Sequence, residues 1–177
     1  MKKYILLTAV ALIALAACGG KKKAAEQASE PAQAVIVGTK AGDMFTDFEI
    51  AQPDGSIAKL SDYVGKGKYV LVDFWASWCG PCKREIPNIK AAYEKYAGEK
   101  FDVLSVAVWD KPEDTAAAAA EHGVTWNQIV NAQKIPTDIY GIQGIPHLIL
   151  FGPDGIIITR GDELRGPGLE ETLSKLL

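Results

Sequence analysis

Two cysteines three positions apart, Cys79 and Cys82, are the side chains best placed to do chemistry in this 177-residue chain. They bracket Gly80 and Pro81 in the run Trp78-Cys79-Gly80-Pro81-Cys82, which follows an apolar stretch and opens a helical pattern. Thiols at this spacing can close a small disulfide with little strain. At a helix N-terminus the first of them meets the positive end of the backbone dipole and N–H groups that lack helical partners, and both favour thiolate. Cys82, about one turn further in, is the less accessible of the two. The pair therefore suits exchange chemistry in which Cys79 attacks a disulfide and Cys82 resolves the mixed disulfide.

Other uses of such a pair compete. A structural zinc usually takes four ligands. If Cys18 is consumed elsewhere, as argued below, only His122 and His147 could join the pair, so neither a metal nor another cofactor is expected. A purely structural disulfide fits an oxidising compartment. It fits less well where the pair opens a helix beside a buried strand. The net charge of −3 supplies no basic footprint for nucleic acid.

The strand that delivers the cysteines is Tyr69–Trp75, a continuous apolar run broken only by Asp73. Burial should raise the pKa of Asp73 and leave it protonated near neutrality, ready to exchange a proton with Cys82. The alternative is a hydrogen-bonded core carboxyl with no catalytic duty. Upstream, residues 47–50 and 57–60 flank the turn Pro53-Asp54-Gly55-Ser56 and read as a hairpin. A helix is expected over 79–96, broken by a kink at Pro87. Then come a buried strand over 101–108, an Ala-rich helix from Pro112 to His122-Gly123, and a short strand over 126–130. A helical turn over 137–140 precedes strands 148–151 and 156–159 around Gly152-Pro153-Asp154-Gly155, and a helix over 169–177 ends the chain. That order predicts an α/β fold with a mixed central sheet covered on both faces.

The run Val72-Asp73-Phe74-Trp75-Ala76-Ser77-Trp78-Cys79-Gly80-Pro81-Cys82-Lys83 resembles the thioredoxin active site almost letter for letter. Pro87 falls where thioredoxins kink the following helix, and Gly141-Ile142-Gln143-Gly144-Ile145-Pro146 resembles the segment that holds their cis-proline. The run Cys82-Lys83-Arg84-Glu85-Ile86-Pro87, the N-terminal hairpin and the extra helix and strand between Glu113 and Val130 are similar to the TlpA/ResA subgroup. Its members are membrane-tethered thiol–disulfide oxidoreductases of the bacterial envelope, several serving cytochrome c maturation. The likeness spans residues 38–177 and implies a thioredoxin fold with an N-terminal β-hairpin and a central α/β insertion.

It also implies roles. Cys79 and Cys82 would form the redox couple and Asp73 the proton-exchanging carboxyl. Trp78, Gly80, Pro81, Ile145 and Pro146 would meet the substrate, with a cis Ile145–Pro146 bond against Cys79 and the backbone of Ile145 as a docking edge. Glu85 would tune the thiols or recognise substrate; a solvated charge on the first helical turns is the competing reading. Where thioredoxins often place a lysine near the aspartate, this chain has Val108, and losing that cation should enlarge the shift on Asp73. His147 stands where thioredoxin usually has threonine, either near the cysteines or as a satisfied loop histidine. Gly80-Pro81 is the thioredoxin pair, whose couple lies at about −270 mV, rather than that of oxidising DsbA at about −120 mV. A reductant in an oxidising compartment needs a membrane electron donor, and disulfide-containing envelope proteins would be its substrates.

The first residues say where this happens. Met1-Lys2-Lys3 followed by an apolar stretch over 5–17 reads as a secretory signal, too short to span a bilayer. Leu15-Ala16-Ala17-Cys18-Gly19 resembles a bacterial lipobox, so Cys18 would carry the lipid, residues 18–37 would be a flexible tether, and 38–177 the folded domain. A plain signal anchor is the alternative. Gly19 after the cysteine favours an outer-membrane destination facing the periplasm. Two other functions remain in play. A thiol peroxidase would need threonine or serine three residues before the attacking cysteine, where Ala76 stands. A redox-inert binding or chaperone lipoprotein would have no use for both cysteines.

Overall fold

The computed structural model describes residues 35–177; the expected signal over 1–17, Cys18 and nearly all of the expected tether over 18–37 lie outside the described residues. The order begins with a short parallel pair, β1 (Val37–Gly38) and β2 (Met44–Phe45), and the predicted hairpin β3 (Glu49–Ala51) and β4 (Ile57–Lys59). Then follow β5 (Tyr69–Trp75), α1 (Gly80–Tyr96), β6 (Phe101–Val108), α2 (Pro112–His122) and β7 (Asn127–Gln133). The chain finishes with α3 (Ile135–Tyr140), β8 (His147–Phe151), β9 (Ile157–Arg160) and α4 (Pro167–Leu176).

The apolar run of β5 needs cover on both faces, and it lies at the centre of a five-stranded sheet ordered β7-β6-β5-β8-β9. β5, β6 and β7 are parallel, while β8 and β9 run antiparallel. Alternation along each strand sorts the core into two layers. On one face Leu71, Trp75, Phe101, Val103, Leu148 and Leu150 pack with Ile86 and Ile89 of α1, Ala118 and Ala119 of α2, and Leu169 and Leu173 of α4. On the other, Val70, Val72, Phe74, Leu104, Val106 and Ile149 pack with Ile50, Leu60 and Tyr140. Truncating a fully buried aliphatic such as Leu71 or Ile149 to Ala costs about 2–5 kcal/mol. The mixed sheet, the hairpin and the α2–β7 insertion are those the sequence predicted.

Four boundaries differ from expectation. α1 runs unbroken through Pro87, where a break was predicted. Pro87 is exposed, so the carbonyl it leaves without a donor can turn to water. β7 extends past Val130 because Gln133 pairs with Val108 after a register shift from Val106, and Asn131 and Gln133 take left-handed backbone angles there, φ 61° and 50°. α3 starts at Ile135 and α4 at Pro167, each with a proline in its first turn.

The segment before β5 also lines both outer strands. Gly42 N–H donates to the Ile157 carbonyl at 2.8 Å, and Ile157 N–H donates to the Asp43 carbonyl at 2.9 Å. On the far side the Gln52 amide donates to the Val130 carbonyl at 3.0 Å and accepts from Val130 N–H at 3.1 Å. Asn131 Nδ2 donates to the Ala51 carbonyl at 3.1 Å.

Candidate active site

Cys79 caps α1, and its Sγ accepts the backbone N–H of Cys82 at 3.1 Å. That donor belongs to the first helical turn and, with the helix dipole, stabilises negative charge on this sulfur. Cys79 and Cys82 are joined as a disulfide, with Cα atoms 5.3 Å apart. Sγ of Cys79 also lies 3.6 Å from the carbonyl oxygen of Ile145, which can accept the thiol proton of the reduced protein. The Ile145–Pro146 bond is cis, as expected.

Accessibility does not separate the two cysteines as expected. Cys79 is 3% exposed and Cys82 2%, because both pack into the cluster of Trp75, Ala76 and Ile86. The difference between them lies in the N–H aimed at Cys79 Sγ. Around Cys79 the surface is carried by Trp78, 60% exposed, together with exposed Gly80 and Pro81 and half-buried Ile145. The indole N–H of Trp78 donates to the Trp109 carbonyl at 3.0 Å.

Beneath α1, Asp73 is 2% exposed. Burial, and then the charge of Glu85, push its carboxyl up to about 7, against the pull of the Ser105 hydroxyl. Ser105 Oγ lies 3.4 Å from Oδ2 and is itself held by Trp126 Nε1 at 2.8 Å. Among the described residues Oδ1 has no hydrogen-bond partner. The register sets Ser105, not Val108, opposite Asp73; Val108 packs on the other face with Leu104 and Val106. The absence of a cation that the sequence suggested therefore arises at Ser105, which is uncharged. Glu85 is buried rather than solvated. Its Oε1 accepts from Gly166 N at 2.8 Å and Asn88 Nδ2 at 3.1 Å, tying α1 to the start of α4.

His147 does not join the cysteines. It pairs in register with Phe74, on the sheet face opposite Asp73, and its Nε2 accepts from Arg160 Nε at 3.2 Å. Burial and then the Arg160 guanidinium hold its pKa down to about 4. The arrangement is the satisfied histidine of the second reading. Sequence reasoning passed over Asp110, which follows β6 and is 7% exposed. Its Oδ2 accepts Ser77 N–H at 2.7 Å and its Oδ1 accepts the Ser77 hydroxyl at 2.9 Å, two residues before Cys79. An aspartate where a strand gives way to a helix carries no local signal of such a partner.

The model of the AhpC/TSA family matches residues 41–160, a span that includes both cysteines, Asp73 and Pro146. The chain belongs to the AhpC/TSA family. Thiol-disulfide oxidoreductase ResA of Geobacillus thermodenitrificans is 29% identical to this family member over 154 residues, covering 87% of this chain and 84% of the relative. The thioredoxin-like protein YneN of Bacillus subtilis is 31% identical over 124 residues, 68% of this chain and 71% of its own. Among solved structures, the thioredoxin domain of a thiol-disulfide oxidoreductase from Bacteroides vulgatus is 32% identical with a TM-score of 0.68, covering 77% of this chain and 96% of that domain. These likenesses support the TlpA/ResA resemblance. This member of the AhpC/TSA family is a thioredoxin-fold thiol–disulfide oxidoreductase, and proteins that carry disulfides are its substrate class.

Proposed function

We propose that the chain works as a disulfide reductase of the bacterial envelope, with Cys79 as the attacking thiolate and Cys82 as the resolving thiol. The observation that carries this reading is the Cys82 N–H aimed at Cys79 Sγ, at a helix N-terminus over the sheet face that carries buried Asp73, whose carboxyl at about 7 can take or give a proton near neutrality. Cys79 thiolate attacks one sulfur of a substrate disulfide, and the other sulfur leaves and takes a proton. Cys82 then gives its proton to the ionised Asp73 carboxylate and attacks Cys79 Sγ as a thiolate, expelling the second substrate sulfur as a thiolate that takes up a proton in turn. The dithiol loses two electrons and closes to the disulfide, while the substrate gains them. Trp78, Gly80 and Pro81 form the rim a substrate would meet, and the backbone of Ile145 offers an edge for an extended segment. Glu85, buried next to this arrangement, acts through its charge on Asp73.

The same reading anchors the protein by lipid on Cys18, with 1–17 removed, 18–37 as tether and 38–177 as the working domain. It faces the periplasm from a membrane, with the outer membrane favoured by Gly19. The Gly80-Pro81 pair supports the reducing direction, which requires a membrane electron donor to restore the dithiol. Apocytochrome c fits as a substrate by the ResA likeness.

Insulin-disulfide reduction tests the proposal. Wild type should reduce insulin, and Cys79→Ser should be inactive. An inactive wild type, a Cys79→Ser variant with wild-type turnover, or faster peroxide consumption than insulin reduction would overturn it.

A further inference from the structure

Two consecutive residues of the loop before Cys79 are fastened to two consecutive residues of the corner between β6 and α2. Ser77 is held by Asp110 through both its N–H and its hydroxyl, and Trp78 is held by the carbonyl of Trp109. Cys79 N–H then donates to the Ala76 carbonyl at 3.1 Å, and Ala76 is fully buried. Each residue from Ala76 to Cys79 therefore has a fixed partner or is locked in the core.

Asp110 is the hub of this arrangement. Oδ2 also accepts the Thr115 hydroxyl at 2.8 Å, and Oδ1 accepts Lys111 N–H at 2.9 Å. Its backbone carbonyl accepts Gln133 Nε2 at 2.7 Å. Four donors occupy the two oxygens, which matches the acceptor capacity of a carboxylate. None of the four is a cation, and two belong to one residue of the loop that carries the redox pair. The corner itself has an uncommon backbone: Trp109, at φ 55°, and Gln133, at φ 50°, are joined by a Trp109 N–H to Gln133 carbonyl bond of 3.2 Å. Non-glycine residues in that region cluster where the surrounding structure dictates a geometry.

We infer that Asp110 is a positioning residue for disulfide exchange: by gripping Ser77 it fixes the Cys79 sulfur for in-line attack on a substrate disulfide. This rests on Cys79 being the attacking thiol. Exchange needs the thiolate, the attacked sulfur and the leaving sulfur nearly collinear, so a loop displaced by about 1 Å loses about a hundredfold in rate even when the thiolate forms normally. The competing role is a carboxylate that only steadies the first turn of α2, which Thr115 and Lys111 would explain without Ser77.

Steady-state insulin reduction and the reaction of the reduced protein with a small aromatic disulfide separate the two, with thermal midpoints measured alongside. Asp110→Asn keeps the shape but sets an NH₂ against donors. It should lower kcat about tenfold or more, slow the aromatic disulfide similarly, and change KM less than about threefold. Thr115→Val removes one of the two α2-side donors and leaves both Ser77 bonds; it should lower the thermal midpoint while keeping kcat within about twofold. Ser77→Ala, which keeps the backbone N–H bond, should fall between them. Where Asp110→Asn does not fold, the comparison of Ser77→Ala with Thr115→Val decides. The inference is overturned by Asp110→Asn at wild-type kcat, or by Thr115→Val losing as much kcat as Asp110→Asn or Ser77→Ala. A wild type inert toward both disulfides overturns the role of Cys79 and this inference with it; an active wild type with an indifferent Asp110→Asn overturns this inference alone.

Discussion

Replacing Asp73 by Asn probes the buried carboxyl beneath α1. The Asp73 carboxyl is pushed up from an ordinary 3.8 to about 7, first by burial and then by the charge of Glu85. Between those two values the folded protein binds a proton that the unfolded chain has released. The stability this proton contributes is complete below pH 3.8 and is lost as pH rises through about 7. A displacement of about 3 units, at about 1.4 kcal/mol per unit, makes the loss about 4 kcal/mol. Asparagine has the same shape and no charge to bury. The oxidised Asp73→Asn protein should therefore exceed wild type in stability by about 3–4 kcal/mol at pH 9, and by less than about 1 kcal/mol at pH 4. Urea unfolding of both oxidised proteins at pH 4, 6 and 9 reads the difference, in which titrating groups that do not interact with Asp73 cancel. Parallel pH profiles for the two proteins would refute the buried-proton argument. The same substitution should slow release of the mixed disulfide more than its formation, because only Cys82 needs the lost proton acceptor. Equal effects on both steps in single-turnover kinetics would leave Asp73 a core residue.

Other expectations follow from the same geometry and sequence. Cys82→Ser should accumulate mixed disulfides with substrate, visible as reductant-sensitive adducts on gels, and a variant that forms none would remove Cys82 as the resolving thiol. A glutathione titration should set the couple nearer to about −270 mV than to about −120 mV, and a value above about −150 mV would exclude the reducing direction. Mass spectrometry of the mature N-terminus should find acyl chains on Cys18; an unmodified thiol or a chain starting at Met1 sinks the anchor. His147, lowered to about 4 by burial and Arg160, should stay neutral in an NMR titration from pH 8 to pH 5. A midpoint near its ordinary 6.5 would mean that the Arg160 contact is not kept in solution.

The parts of the site legible in the sequence were those set by local chemistry. A helix opening at Cys79, an acid in an apolar strand and a proline before β8 each leave a mark within a few residues, and Asp73, Cys79, Cys82, Ile145 and Pro146 all gather at one end of the sheet. What depends on pairing between distant strands left less of a mark. Ser105 rather than Val108 faces Asp73 because the β5–β6 register decides it, and nothing in either strand alone fixes that register. The direction of His147 was readable. Alternation along β8 puts it with Ile149 and Phe151, on the face away from Asp73. Asp110 was not readable, since its hydrogen bonds to Ser77 span 33 positions. The burial of Cys79 was likewise hidden, because a helix terminus looks open until the side chains that close over it are in place.

The segment before β5 covers both outer strands of the sheet. An outer strand with unpaired N–H and carbonyl groups is a template for any other extended chain, an unfolded substrate included. Here Gly42 and Asp43 occupy β9 while Ala51 and Gln52 close β7, so both templates are taken by a stretch that precedes the sheet in sequence. Because a chain emerges from its N-terminus, these guards are made before the strands they cover. A shortened domain starting near Lys68 would keep both cysteines, Asp73 and Pro146, yet it would present two bare flanks to its own substrates. It would also uncover the core face that Phe48, Ile50, Leu60 and Val64 cover, so aggregation and lost stability would come together.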